Sequence, residues 1–354
     1  MASSYLHSTS FLGDLSQATQ EYVDKRIHSQ VTTKDPMLLS MLMRGSIVKK
    51  ACIAYKVKTD TAEITPLMQT YDMADGLTSG KTDTLNDAVF TIRYAQLPIE
   101  VSEEEELASE QGSPGTVLVN LAALRGKKAL RGIRLGIMRM ILGGSLTSNA
   151  ASASSDSRAT NKSFQSLVQA LTHDLAYGHL TRTIGSSTNT HWQGGSISGA
   201  YTDVGTARVA SIATVRSAID AVQDLWDSPS DGALFVGPAL FRKIQSEVEA
   251  AGIKPEKGPL FKYGFTSIMI DGLEIVNDWF LKTVYRTGAP SMAFLLNLKN
   301  CRLWFHPSRF FKVTKFTDQD TQEDGLPKKL ARVKIGGNFF VTVPGSCVYN
   351  TAWS

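Results

Sequence analysis

The stretch LRGKKALRGIRLGIMRMIL, residues 124–142, constrains this chain more than any other. Arg125, Lys127, Lys128, Arg131, Arg134 and Arg139 give it six positive charges, and it contains no acid. Leu130, Ile133, Ile137, Met140 and Ile141 fall within about a third of a helical wheel, and the cations take the opposite half. The spacing predicts one amphipathic helix, spanning 116–143 and ending at Gly143-Gly144. Gly132 and Gly136 inside it each cost about 1 kcal/mol against alanine, which points to close packing of another backbone there.

Three readings of the cationic face compete. A plain solvated face mixes signs and gains about 0.2–0.5 kcal/mol for each i,i+4 pair, and this one forgoes every such pair. A helix lying on a membrane surface has the same two-sided character, but here the oily side is needed for a core. A wall facing a polyanion uses every cation, because each one near a phosphate releases counterions whatever the sequence. The last reading is favoured for Arg125, Lys127, Lys128, Arg131, Arg134 and Arg139. It comes without base readout, since no grouped Asn, Gln and Arg reader accompanies them.

Elsewhere the composition is ordinary. The 354 residues are 42% hydrophobic and 20% charged, enough for a large core in two lobes. A net charge of +4 carries no whole-molecule argument for nucleic acid. Distribution matters more. Glu100, Glu103, Glu104, Glu105, Glu106 and Glu110 crowd one short stretch without a base. That run reads as a solvated or repelling face, or as one that meets a basic neighbour in an assembly. Cys52, Cys301 and Cys347 are odd in number, far apart and free of any CxxC, which fits a reducing compartment rather than a disulfide framework. No stretch reaches the roughly 18–20 apolar residues of a membrane span. The N-terminus lacks the order of a signal peptide. A soluble protein made in cytoplasm is expected.

Residues 1–46 read as an arm lying on another surface. IVKKACIAYKV, 47–57, alternates as a strand with Ala51, Ile53, Tyr55 and Val57 on one face. Residues 61–100 have apolar ends and a Gly- and Asp-rich middle. Phe90, Ile92 and Tyr94 alternate with Val89, Thr91 and Arg93, which predicts a long hairpin that needs a second surface to be stable. Residues 145–163 form a Ser/Ala-rich loop, and Trp192 is an expected anchor further on. From 206 an α/β pattern begins. Ile212, Val215, Ile219, Val222 and Trp226 predict about five helical turns. GALFVGP predicts a buried strand, and PALFRKIQSEVEAAG a helix with Pro238 near its start and Gly252 past its end. Asp271-Gly272 predicts a hairpin turn. The β-rich end of the chain must return to pair with earlier strands such as 47–57 and 88–101.

Motifs for chemistry fail on spacing. In GLTSGKT, Gly76 and Gly80 enclose three residues where a phosphate loop needs four. His173 and His179 do not share a helical face, and His191 and His306 have no acid or cysteine at ligand spacing. No nucleophile elbow or zinc-protease motif occurs. No catalytic residue, metal or cofactor is expected.

Taken in order, an arm, a long hairpin, an acidic turn, one long amphipathic helix, an inserted α/β lobe and a β return resemble the major capsid proteins of tailed double-stranded DNA phages, the Hong Kong 97-like fold. Helix 116–143 resembles the spine helix and 61–100 the extended loop. VASIATVRSAIDAVQDLW and GALFVGPALFRKI look like the axial domain's helix–strand–helix, and ARVKIGGNFFVTVPGSCVYN looks like the last peripheral-domain strands.

The resemblance implies an α+β capsid fold. Its parts would be an arm and first strand at 1–60, an extended loop at 61–100, a peripheral domain at 101–205 containing the spine helix, an axial domain at 206–300 and closing peripheral strands at 301–354. It implies a shell protein without catalysis or cofactor. Hexamers and pentamers would tile an icosahedral head around packaged double-stranded DNA, with the spine helix towards the lumen. Its partners would be itself, portal, scaffolding and decoration proteins, and the DNA, with no membrane. The place would be the virion capsid, assembled in the host cytoplasm. Residues 1–46 are too short for a scaffolding segment, which implies a separate scaffold or a removed piece. Asp75, Lys81, Phe90, Tyr94, Glu103, Glu104, Glu105 and Glu106 are the contact candidates between subunits. Lys81 lacks any partner motif for a covalent cross-link. The same fold also serves encapsulin-like shells around a cargo enzyme, which is the alternative. A metabolic enzyme with its site in 206–300 is a third reading, without a sequence feature behind it.

Overall fold

A computed structural model of the chain describes residues 46–60, 85–102, 121–143, 163–171, 176–180, 209–252, 256–263, 265–279, 293–315, 317–319 and 328–350, with 37, 40, 41, 182, 192–194 and 281. In chain order the strands are β1 (Ile47–Lys49), β2 (Ala54–Asp60), β3 (Leu85–Thr91), β4 (Arg93–Ser102), β5 (Gly232–Val236), β6 (Ser267–Ile270), β7 (Leu273–Asn277), β8 (Ala293–Asn297), β9 (Cys301–Phe305), β10 (Lys312–Val313), β11 (Thr317–Gln319), β12 (Lys328–Val341) and β13 (Val348–Asn350). The helices are α1 (Leu121–Gly143), α2 (Leu167–Leu171), α3 (Ile212–Asp220) and α4 (Pro238–Ala250). The fold is mixed α+β. Two units divide it: 97–132 and 313–333 fall in one, and 34–96, 133–312 and 334–354 in the other.

In the larger unit, β5 is buried at every position, as a short unbroken apolar run predicts. It is the middle of a five-stranded sheet in the order β13-β8-β5-β7-β6. The β6–β7 hairpin turns at Asp271 (φ 50°) and Gly272 (φ 81°), the left-handed pair that an Asp-Gly turn supplies. α4 starts on Pro238 and runs to Ala250, with Gly252 in the left-handed region just beyond. α3 is capped by Ser211, whose hydroxyl accepts the Thr214 N–H. The Ile212 N–H at the start of α3 donates to the Glu247 carboxylate of α4 at 2.8 Å.

The helix expected to run five turns is shorter. All five periodic residues are buried, but α3 stops at Asp220 and a 3-10 turn, Gln223–Leu225, carries the chain to Trp226. The Trp226 indole N–H donates to the Ser346 carbonyl at 2.7 Å. That anchor needs the backbone to leave the helical path, so tertiary fit overrides the periodic pattern. β13 pairs with β8, so the end of the chain returns to this sheet and not only to strands near the start.

The same unit contains a second sheet, in which β1 pairs in parallel with β9 and β9 antiparallel with β12. A hairpin of β2 and β3 lies on it. Its arms begin at Ala54, earlier than the expected 61, and the intervening 61–84 lie outside the described residues. The single strand expected over 47–57 is two, broken at 50–53, and Ile53 is 76% exposed rather than on the inner face. Tyr55 and Phe90 meet Phe340 of β12 with ring centroids 4.8 Å apart in each case. The Ile92 N–H donates to the Ile53 carbonyl where β3 gives way to β4. Alternation slips there: Ile92 and Arg93 are both buried, and Tyr94 points out.

Trp192 is buried as expected, its indole N–H donating to the Tyr177 carbonyl at 3.0 Å. Gly178 (φ 62°) packs on β3, where a Cβ would meet the Ala88 Cβ at 2.9 Å. Arg182 is buried and donates to the Ala170 carbonyl at the end of the wholly buried α2. Cys301 and Cys347 are both buried thiols. A hydrogen bond to Cys347, with burial, pushes the Cys301 thiol well above its ordinary range.

In the smaller unit, β11 pairs antiparallel with the first residues of β12, Thr317 opposite Leu330. The Thr314 N–H donates to the Arg332 carbonyl at 2.9 Å, and the Arg332 N–H returns to the Thr314 hydroxyl at 2.8 Å. β4 also joins β12.

Candidate functional site

α1 forms where the wheel places it and ends at Gly143; residues 116–120 lie outside the described residues. Ile133, Ile137, Met140 and Ile141 are buried, together with Ala129, Met138 and Leu142. Leu130 departs from the expectation: it is 41% exposed. The reason lies in the first half of the helix. Leu97 of β4 fills the space beside Gly132, where a Cβ would meet its Cδ2 at 3.3 Å. The Arg125 guanidinium donates to the Glu100 carbonyl on the same strand. The contacting side there is that of Arg125, Ala129 and Gly132, and Leu130 is turned away from it. Gly132 is therefore a packing site, as its cost implied, but it receives a side chain instead of a backbone.

The cations divide accordingly. Lys127, Lys128, Arg131 and Arg134 are exposed, while Arg125 and Arg139 are half-buried. Lys127, Arg131 and Arg134 stand at i, i+4 and i+7, one ridge of like charge. Such neighbours lie about 5–6 Å apart and repel by roughly 0.2–0.5 kcal/mol per pair. No acid of the described residues pairs with Lys127, Lys128 or Arg131. The first turn carries no acid and the last turn no base, so the helix dipole is not complemented either. Lys127, Lys128 and Arg131 thus present their charges without an acid of the described residues beside them.

The contact candidates separate clearly. Phe90 is fully buried, stacked on Phe340 and edge-on to Tyr177 at 5.2 Å, so it is a core residue and not a surface one. The strand alternation that marked it identifies a covered face, and its cover comes from the same chain. Tyr94 is exposed, with the Arg309 guanidinium 5.9 Å from its ring centre. Asp75, Lys81, Glu103, Glu104, Glu105 and Glu106 lie outside the described residues.

A second basic region was not expected. The stretches 47–59, 301–315 and 328–341, which contain β1, β2 up to its closing Asp60, β9, β10 and β12, each hold four lysines and arginines and no acid. Only the sheet pairing brings most of these stretches together. Their one-signed composition was the signal available, spread over three distant segments. Lys49 lies 4.0 Å above the Phe310 ring and Lys50 5.1 Å from Tyr55. The cation–aromatic contacts hold the side chains without neutralising them. Among the described residues no group of three or more His, Cys, Asp or Glu side chains is placed to hold a metal. No helix there is long and apolar enough to cross a membrane.

No protein-family model matches the chain, and no curated protein does. Solved structures do. The chain is similar to one in the capsid asymmetric unit of cyanophage A-1(L), with a TM-score of 0.62, 11% identity and coverage of 94% of this chain and 97% of that one. It is similar to a chain of the holo-SrpI encapsulin complex from Synechococcus elongatus PCC 7942, with a TM-score of 0.54, 11% identity and coverage of 96% and 95%. A chain from Mycobacterium phage Ogopogo matches with a TM-score of 0.54, 12% identity and coverage of 95% and 98%. At such identities the likeness shows the fold, which is that of phage capsid and encapsulin shell chains.

Proposed function

We propose that this chain is the major capsid protein of a tailed double-stranded DNA phage. The observation that carries the reading is the extent of the likeness, which takes in nearly all of this chain and nearly all of the cyanophage capsid chain. In that reading α1 is the spine helix of a Hong Kong 97-like subunit, 61–100 its extended loop, 206–300 its axial domain and 301–354 its closing strands. Hexamers and pentamers build the icosahedral head in the host cytoplasm, with portal, scaffolding and decoration proteins as partners. Lys127, Lys128, Arg131 and Arg134 face the packaged DNA, with Arg125 and Arg139 at the margins of that face. The exposure of the first four, and the absence of a paired acid for Lys127, Lys128 and Arg131 among the described residues, support the role, and phosphate contacts of this kind need no base sequence. The protein acts by assembly and performs no catalysis.

The likeness to an encapsulin supports a second reading, a compartment shell around a cargo protein. One preparation separates the two. The protein is expressed with its neighbouring genes and purified, and the particles are imaged by electron microscopy and analysed for contents. Closed particles holding nuclease-protected double-stranded DNA are expected. Particles filled with one protein and free of DNA favour the compartment. A chain that stays monomeric under all scaffold and salt conditions overturns both.

A further inference from the structure

Gly336 of β12 lies beneath an exposed aromatic–cation surface. Tyr94 is 55% exposed yet fixed, since a Cβ at Gly336 would meet its Cδ1 and Cε1 at 3.0 Å and the Arg309 Cβ at 3.1 Å. Arg309 is held as firmly. It ends the turn Pro307–Arg309, capped by His306, whose Nδ1 accepts the Ser308 N–H at 3.3 Å. The Arg309 N–H donates to the His306 carbonyl at 3.0 Å, and the His306 N–H to the Gly336 carbonyl at 2.8 Å. Lys334 stands two residues from Gly336 on the same face of the strand. Exposed Lys312 follows Arg309 by three positions. Tyrosine and arginine are the side chains interfaces use as anchors, and an arginine fixed over a ring keeps its N–H fork for carboxylates. A glycine that makes room for both is a built feature.

The sequence itself contains the complementary segment. Residues 100–110 hold six glutamates and no base, four of them consecutive. Those four repel one another unless cations meet them. We propose that the surface of Tyr94, Arg309 and Lys334 on one copy receives the glutamate run 103–106 of a second copy. The inference rests on the reading of the chain as a shell subunit and supplies that reading with one specific contact. Under closed symmetry each copy gives one run and receives another. DNA would satisfy the cations equally, and the test below separates the two occupants.

Charge reversal in the assembling system tests it. Wild-type particles are formed first; their absence overturns the shell reading and the contact with it. Arg309→Glu with Lys334→Glu, and separately Glu103→Lys, Glu104→Lys, Glu105→Lys and Glu106→Lys, are each expected to lower particle yield at least tenfold. Co-expression of the two variants is expected to restore particles, because each run then meets a surface of opposite sign on the other copy. Circular dichroism of the unassembled chains reports folding. If a reversed variant fails to fold, Arg309→Gln and Tyr94→Ala replace it, with a lower salt midpoint of particle disassembly as the expected readout. Wild-type yield and salt resistance in the variants overturn the contact while leaving the shell reading intact. Rescue only when both changes lie in one chain places the contact within a copy and overturns it. Normal yield with lost DNA content assigns the surface to nucleic acid and likewise overturns it.

Discussion

Single side chains decide the joints of this fold, and Asn338 shows how. It is fully buried. Its oxygen accepts the Gln165 N–H at 2.9 Å, and its nitrogen donates to the Thr91 carbonyl at 2.8 Å. Asn338→Ala leaves both backbone groups orphaned, at about 1–3 kcal/mol each. The denaturant midpoint of the unassembled chain should fall accordingly, whereas Asn338→Asp should recover part of the Gln165 contact. None of this is legible in the sequence, because the partners lie 173 and 247 positions away. The Asp271-Gly272 turn is legible, because its chemistry is local. Asp271 adds a contact at range. Its hydrogen bond and ion pair with Arg216, at 2.6 Å, hold its carboxyl below the ordinary carboxylate range. A depressed carboxylate contributes stability above its unfolded value of about 3.9 and loses it as pH falls through the lower folded value. Arg216→Ala should therefore lower the midpoint slightly at neutral pH, and the difference from wild type should shrink in acid as the Asp271 carboxyl takes up its proton. A difference of equal size at neutral and acid pH would show that the pair does not act through this titration.

At the scale of an element, α1 tests how far periodicity reaches. A wheel ranks residues by side-chain polarity, and it found Ile133, Ile137, Met140 and Ile141. It misplaced Leu130, because the contact in the first half is made by Gly132 and the guanidinium of Arg125, neither of which counts as apolar. A helix whose two halves pack through different faces has no single hydrophobic direction for a wheel to find. The expected consequence is a contrast. Ile137→Ala removes fully buried methylenes and should cost about 2–5 kcal/mol, whereas Leu130→Ala should stay within roughly 0.5 kcal/mol, as surface changes do. Chemical denaturation of the two variants checks it, and equal losses would mean that Leu130 is covered. The hairpin of β2 and β3 gives the same lesson. Alternation through Phe90 is correct about burial, but the slip between Ile92 and Arg93 reverses the phase, so Tyr94 emerges where the pattern continued inward.

Across the whole molecule, charge is sorted in a way that net charge conceals. A balance of +4 covers a cationic helix, three further basic stretches without an acid, one early and two late in the chain, and one acidic run. The helix, strand and hairpin over 212–277 were readable because each announces itself locally; the basic region was not, because pairing joins 47–49 to 303–305 and 301–305 to 337–341. If the ridge on α1 faces DNA, its contribution is electrostatic and additive over phosphates. Lys127→Gln, Lys128→Gln and Arg131→Gln remove exposed charges and no buried area, so shells should still form at wild-type yield. What should change is the salt dependence of the contents. For B-DNA, the slope of log K against log salt is about −0.9 per phosphate neutralised, so each substitution should flatten it by nearly one unit. Binding of duplex DNA to opened shells, titrated from low to high salt, measures that slope. A flattening that is the same for unrelated DNA sequences follows from counterion release, whereas an unchanged slope would place the ridge away from the nucleic acid and return α1 to the role of a core helix with a solvated face.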